Sequence, residues 1–195
     1  MVSSGSGGRS AAERLAALTG RLTDRDRTLC QLLHQHQVLT TPQLIDLAFP
    51  SRNAAEHRLA ILHQLGVVDR FRPHHTPGSA PYHYVLGPLG AALLAAHADQ
   101  DPSRLGYRRD RALALAHFQR LAHLLGVNGF FAALVRAARS QPEGEAALEV
   151  WWSEQRCAAQ WGGWSTPTAT AAGANTRVGW TSSWSTTAAA NPSDG

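Results

Sequence analysis

From Thr23 onward the apolar positions recur at helical spacing, and capping residues divide them into segments. Leu29, Cys30, Leu32 and Leu33 share one face of a helix predicted from Asp24 to about Gln37, with Thr23 as its cap and acidic residues in its first turn. Val38-Leu39-Thr40 is a short extended link. Thr41 then caps a short helix with Pro42 at its first position, running through Leu44, Ile45, Leu47 and Ala48 until Pro50 ends it. Ser51 caps a third helix, Arg52 to Leu65, with Ala55, Leu59 and Leu62 on its apolar face and Gly66 at its end. Val67 to Arg72 alternates after its first residue, Pro73 to Pro81 is rich in turn residues, and Tyr82 to Leu86 is a returning strand. Helix, helix, helix, hairpin is the order of a winged helix-turn-helix. An Ala/Leu-rich helix from about Pro88 to His97 packs on this unit.

Beyond a polar connection, Asp99 to Arg108, a second helical region begins. Arg111 to Leu125 is predicted as one helix, Gly126-Val127-Asn128 as its break, and a second helix carries Phe130, Phe131, Leu134 and Val135 to about Arg139. Ala147 to Trp152 has the pattern of a strand leading into a short helix near Ser153–Gln160. The expected fold class is mainly α with a small β-hairpin: an N-terminal winged helix-turn-helix, a helical pair, and the start of an incomplete α/β domain. Residues 1–20 form a flexible arm, 21–98 the winged helix, 99–163 the helical pair and partial α/β domain, and 164–195 a disordered or out-of-frame tail.

Composition adds few constraints. The net charge of +4 permits an acidic partner, but arginines are interspersed with Asp and Glu, so charge alone decides little. Cys30 and Cys157 are far apart with no second cysteine at ligand spacing, which gives no support to a zinc site or a disulfide framework. No stretch approaches a membrane span and the N-terminus lacks the apolar core of a signal peptide, so a cytoplasmic protein is expected.

Candidate functional residues follow from docking geometry. In a helix-turn-helix reader the third helix enters the major groove with its N-terminal half on base edges, here exposing Arg52, Asn53, Glu56, His57 and His63. Arg can pair bidentately with guanine and Asn with adenine; the same residues also suit a solvated helix face that touches nothing. Arg70 and Arg72 share one face of the first wing strand, with His74 and His75 at its tip, placed for phosphates of a neighbouring groove or as plain surface charge. His117 and His123 have no nucleophile or carboxylate spaced to them, and Glu149 with Glu154 do not by themselves make a metal site. The expected partner is double-stranded DNA, with a homodimer possible. No catalytic residue, metal, cofactor or small-molecule substrate is assigned.

Five segments, in order, resemble the replication-relaxation family: Leu-Thr-Asp-Arg-Asp at 22–26, the Arg70-containing strand, Tyr84 to Ala91, Val127-Asn128-Gly129-Phe130-Phe131, and Trp151 to Cys157. None is specific singly; their order and spacing carry the likeness over about residues 21–162. The resemblance implies a winged helix at the N-terminal end, an association with plasmid replication and DNA relaxation, and a C-terminal α/β region similar to restriction-endonuclease folds. Two other classes are carried beside it, a dimeric winged-helix transcriptional regulator and a metal-dependent nuclease.

After Gly163 the likeness is expected to stop. Residues 164–195 are rich in Thr, Ala, Ser and Trp, show neither helical nor strand periodicity, and carry only Arg177 and Asp194 as charges. Read from the third base of each codon, Gly179 to Thr187 permits Val-Asp-Phe-Phe-Leu-Glu-Tyr-Asp, an alternating acidic strand, with the first Asp forced by Trp180 followed by Thr181. Trp164 to Gly173 permits Val-Asp-Pro-Asp-Gly-Tyr-Gly-Arg-Trp in the same shifted frame. A frameshift near Gly162–Trp164 accounts for both. Sequencing the gene across this stretch is expected to show that acidic strand in the shifted frame, and its absence there overturns the frameshift.

Overall fold

The computed structural model describes residues 13, 17, 20–73, 80–117, 119–142, 148 and 150–161. His74 and His75, Phe118, Glu149 and the tail 162–195 lie outside them, as does most of the N-terminal arm. The chain forms two compact units, Met1–Ala146 and Ala147–Gly195. The fold is mainly helical, with a small three-stranded antiparallel sheet.

In the first unit, α1 spans Asp24–His36 and starts on a capping box. The Thr23 hydroxyl accepts from the Asp26 N–H, while the Asp26 carboxylate accepts from the Thr23 N–H at 2.7 Å. The next helix, α2, covers Thr41–Ala48, but its cap is Thr40 rather than Thr41. A cap at Thr41 would put Leu44 three residues on, with no acceptor to return, whereas Thr40 puts Gln43 there. The Gln43 Oε1 accepts from the Thr40 N–H at 2.9 Å. Helix α3, Arg52–Gln64, is capped by Ser51 and buries Ala55, Leu59 and Leu62. Its far end is a Schellman turn: the Gly66 N–H donates to His63 O, the Val67 N–H to Leu62 O, and Gly66 takes φ 74°.

The expected hairpin is present as β2, Val68–Phe71, and β3, His83–Leu86, in register Val68↔Leu86 to Phe71↔His83. The segment expected as a bare link contributes a third strand, β1, Leu39–Thr40, on the other edge of β3, giving the order β1-β3-β2. Two residues are too few to show a period of two in sequence, which is why β1 is silent there. Helix α4, Pro88–His97, follows β3 directly.

The junction between β3 and α4 lies against the turn after α3. The Gly87 N–H donates to Val67 O and the Leu89 N–H to Gly66 O, both at 3.0 Å. A Cβ on Gly90 would stand 2.3 Å from Val67 O and 2.8 Å from Leu86 Cδ1, so this backbone approach requires glycine.

The helical pair breaks at a different place from the one expected. Helix α5 is short, Arg109–Ala114, and passes into a 3-10 turn, Leu115–His117, whereas α6 runs unbroken over Leu121–Arg139. Gly126, Asn128 and Gly129 lie inside it, and tertiary contacts at Asn128 and Gly129 offset their poor helix propensity. The Asn128 side chain points inward and donates to His36 O at 3.1 Å and Val38 O at 2.7 Å. Those carbonyls flank Gln37, which turns the chain out of α1 with φ 66°. Gly129 leaves room for Gln43, whose Nε2 would sit 3.2 Å from an added Cβ and donates to Leu125 O at 2.8 Å. Leu124 joins Val38 and Val85 in a buried cluster lined by Phe71, Ala112, Leu113 and Leu121.

By length and composition α6 is long and apolar enough to cross a membrane, which corrects the expectation that no stretch qualifies. Asn128 and Leu124 are buried in the first unit, while Phe130 (62% exposed) and Leu134 (39%) lie on its open side.

In the second unit α7 spans Glu154–Trp161, close to the expected helix, and the Ser153 hydroxyl accepts from the Arg156 N–H at its start. Leu148 and residues 150–152, the described part of the strand expected over residues 147–152, are not in a strand. A strand exists only as part of a ladder, and no described residue pairs with this segment.

Overpacking at the β3–α4 junction is expected to lower the stability of Gly90→Ala by about 1–3 kcal/mol. Gly126→Ala, where nothing lies within 4 Å of the added methyl, is expected to raise it by about 0.5–1 kcal/mol. Urea denaturation of both variants beside the parent checks the pair, and equal effects would contradict the packing described.

Candidate nucleic-acid interface

Helix α3 has two faces of opposite character. Ala55, Leu59 and Leu62 are fully buried, while Arg52, Asn53, Glu56 and His57 are exposed. These four begin in the first turn, where the Ser51 hydroxyl accepts from the Ala54 N–H at 3.3 Å. Arg52 Nη1 lies 3.3 Å from Glu56 Oε1, with side chains 69% and 55% exposed. Such a surface pair contributes about 0–1 kcal/mol, so it holds Arg52 only weakly.

His63 does not join that face. It is partly buried, and its Nδ1 lies 3.2 Å from Val68 O, which ties the end of α3 to the start of β2.

Arg58 carries a role that the sequence did not disclose. Its Nε donates to Asp26 Oδ1 at 2.9 Å, its Nη2 donates to Asp26 Oδ2, and Nη2 also donates to Arg21 O at 2.8 Å. Asp26 is completely buried and Arg58 is 24% exposed. Burial pushes the Asp26 carboxyl up, but the Arg58 and Thr23 hydrogen bonds and the Arg58 charge together outweigh it and hold it below the usual carboxylate range. An Asp in the first turn of a helix reads as a dipole partner, and nothing local marks it as the anchor of an arginine thirty-two residues away.

On the hairpin, the guanidinium carbons of Arg70 and Arg72 lie 4.1 and 4.0 Å from the centroid of the Tyr82 ring. Tyr82 was not among the expected site residues; its alternation with Tyr84 in the returning strand was the available signal. The Tyr82 carbonyl accepts from the Thr41 N–H at 3.0 Å, joining the hairpin root to the start of α2. His74 lies outside the described residues.

A second cross-link joins the sheet to the helical pair. Arg109 Nε and Nη2 donate to the two oxygens of the buried Asp69 at 2.7 and 3.0 Å. Among the described residues no group of three His, Cys, Asp or Glu side chains converges as a metal site would require. Burial pushes the Cys30 thiol up to about 12, so it is a protonated core residue.

The replication-relaxation family model matches residues 30–181. The chain belongs to this family. No curated protein and no solved structure matches it. In this replication-relaxation protein the match runs to Thr181, past the Gly163 expected as the end of the likeness, so the frameshift rests on its codon pattern alone.

Asp26→Asn removes a buried charge opposite Arg58 and is expected to cost about 2–4 kcal/mol, toward the low end because Arg58 keeps partial access to water. The pH dependence has a definite sign. Because its folded pKa is depressed below 3.8, the Asp26 contribution is fully present above pH 3.8 and is lost as pH falls through the lower folded value. Burial pushes His36 down from 6.5 to about 4, which removes stability earlier, between those two values. Denaturant titrations across pH should therefore show Asp26→Asn losing the lower window and keeping the upper; a parallel offset at every pH contradicts this.

Proposed function

We propose that this replication-relaxation protein docks on double-stranded DNA through a winged helix formed by α1 to β3. The observation that carries the reading is the pairing of α3, whose first two turns expose Arg52, Asn53, Glu56 and His57, with a three-stranded sheet whose hairpin holds two further arginines. The order helix, strand, helix, helix, strand, strand with sheet order β1-β3-β2 supports a winged-helix reading, in which α3 would enter the major groove. Arg52 then donates to guanine N7 and O6 or Asn53 pairs with adenine, Glu56 and His57 flank them, and Arg70, Arg72 and His74 take phosphates.

Docking of this kind uses shape and charge and needs no cofactor. The protein binds and does not cut, acts in the cytoplasm, and serves the replication or relaxation process in its family's name. A second reading, a dimeric winged-helix regulator, is favoured by one observation, the exposed Phe130 and Leu134 on α6. A stable dimer in sedimentation together with a two-fold symmetric binding site would select it.

Fluorescence anisotropy of the full chain on a labelled duplex across a salt series tests the docking. The parent is expected to bind with an affinity that falls steeply with salt. Arg70→Ala should reduce the slope of log K against log salt by about 1, and Arg52→Ala should cost about 1–3 kcal/mol on a preferred site. Absence of binding even at low salt removes the proposal.

A further inference from the structure

The acidic residues of the first unit are largely committed. Asp26 holds Arg58, Asp69 holds Arg109, Asp24 pairs with Arg27, Asp110 with Arg108, and Asp46 with Arg136. Arg70 and Arg72 differ: among the described residues neither has an ion pair, and both are held by a neutral ring. A carboxylate that fixes a guanidinium also cancels its charge, whereas an aromatic face fixes it and leaves the full charge for an anion.

Register explains how one ring reaches both. Arg70 lies directly opposite Tyr84, so Tyr82 is its diagonal neighbour on the same face, and one more step of the same register sets Arg72 opposite Tyr82. The ring itself is anchored through its backbone, since Tyr82 O accepts from both the N–H and the hydroxyl of Thr41, at 3.0 and 3.4 Å. Two like charges on adjacent flexible stems would otherwise repel and disperse.

We infer that Tyr82 is a positioning residue of the DNA interface, its ring holding Arg70 and Arg72 as a pre-ordered, un-neutralised pair for backbone phosphates. The inference rests on the DNA-docking reading and adds to it a residue that touches no nucleic acid. It predicts that removing the ring, with both charges left in place, weakens binding through loss of order alone.

The test uses the full chain, a labelled duplex and a salt series. Tyr82→Phe keeps the ring and should bind within about twofold of the parent, whereas Tyr82→Leu should bind roughly three- to tenfold more weakly. In an Arg70→Ala/Arg72→Ala background, whose salt slope should already be lower by about two, Tyr82→Leu should have no further effect. Without DNA, the Hδ and Hε protons of Arg70 and Arg72 should be shifted upfield by the ring in the parent and return to ordinary positions in Tyr82→Leu. Tyr82→Gln replaces the leucine variant, with the same expectations, if the latter does not fold. Parent-like binding by the ringless variant, or an equal loss in the arginine-free background, overturns the inference while leaving DNA docking standing. Failure of the parent to bind overturns both.

Discussion

A buried carboxylate ties α3 to α1 and helps fix the direction in which α3 faces. Asp26 accepts from the Thr23 N–H, the Thr23 hydroxyl, and two nitrogens of Arg58, so its charge is satisfied without water. The same atoms thereby cap α1 and grip α3 near its middle. Along a helix at 100° per residue, Arg58 lies 200° from Glu56, so drawing Arg58 toward α1 turns Glu56 and its partner Arg52 outward. Apolar side chains could hold the two helices together with comparable energy, because a buried ion pair is costly to desolvate. Ala55, Leu59 and Leu62 give α3 its buried face, and the directional hydrogen bonds of Arg58 narrow its rotation further, which decides which side chains stand outward.

Helix α6 supports α2 in a similar way but with amides. Gln43 accepts from the Thr40 N–H and donates to Leu125 O, so one side chain both starts α2 and attaches it to α6. One turn further along α2, Asp46 receives Arg136 on its carboxylate and Arg139 on its carbonyl. Asn128 meanwhile holds the turn at Gln37 that delivers the chain into β1 and α2. Gly129 and Asn128, which weaken α6 as an isolated helix, are the residues that let it dock closely on the rest of the unit, whereas Gly126 faces open space. A helix with 19 residues and high hydropathy thus serves as a brace through its polar positions.

Much of the architecture was legible because it is written in local signals. Thr23, Ser51 and Gly66 announce their helix ends through backbone groups within a few residues, and the 3.6-residue period of Ala55, Leu59 and Leu62 marks a buried face. What could not be read locally depends on partners distant in sequence. Asn128 looks like a helix breaker until His36 and Val38 are beside it, and β1 is a strand only because β3 lies alongside. On α3, Arg52, Asn53, Glu56 and His57 are exposed as their spacing suggests, but Arg58 and His63 are tied back to Asp26 and Val68. Spacing gives the face of a helix; whether a charged residue at the border of that face turns in or out is decided by the element packed against it.

The distribution of partners among the arginines completes the argument. All 18 basic residues are arginine, so formal charge cannot distinguish structural cations from those free to meet a ligand. Geometry can. Arg58 and Arg109 meet carboxylates that are buried and bidentate or nearly so, an arrangement that no phosphate in water displaces without leaving a carboxylate unpaired in the core. Arg52 meets an exposed Glu56, and Arg70 and Arg72 meet a neutral ring, so each gives up little on changing partners. Arg27 and Arg108, in exposed pairs with Asp24 and Asp110, and Arg25, over the Phe49 ring, are as easily redirected, so what sets Arg52, Arg70 and Arg72 apart is their grouping on the open face of α3 and on the hairpin, the two elements through which a winged helix touches DNA.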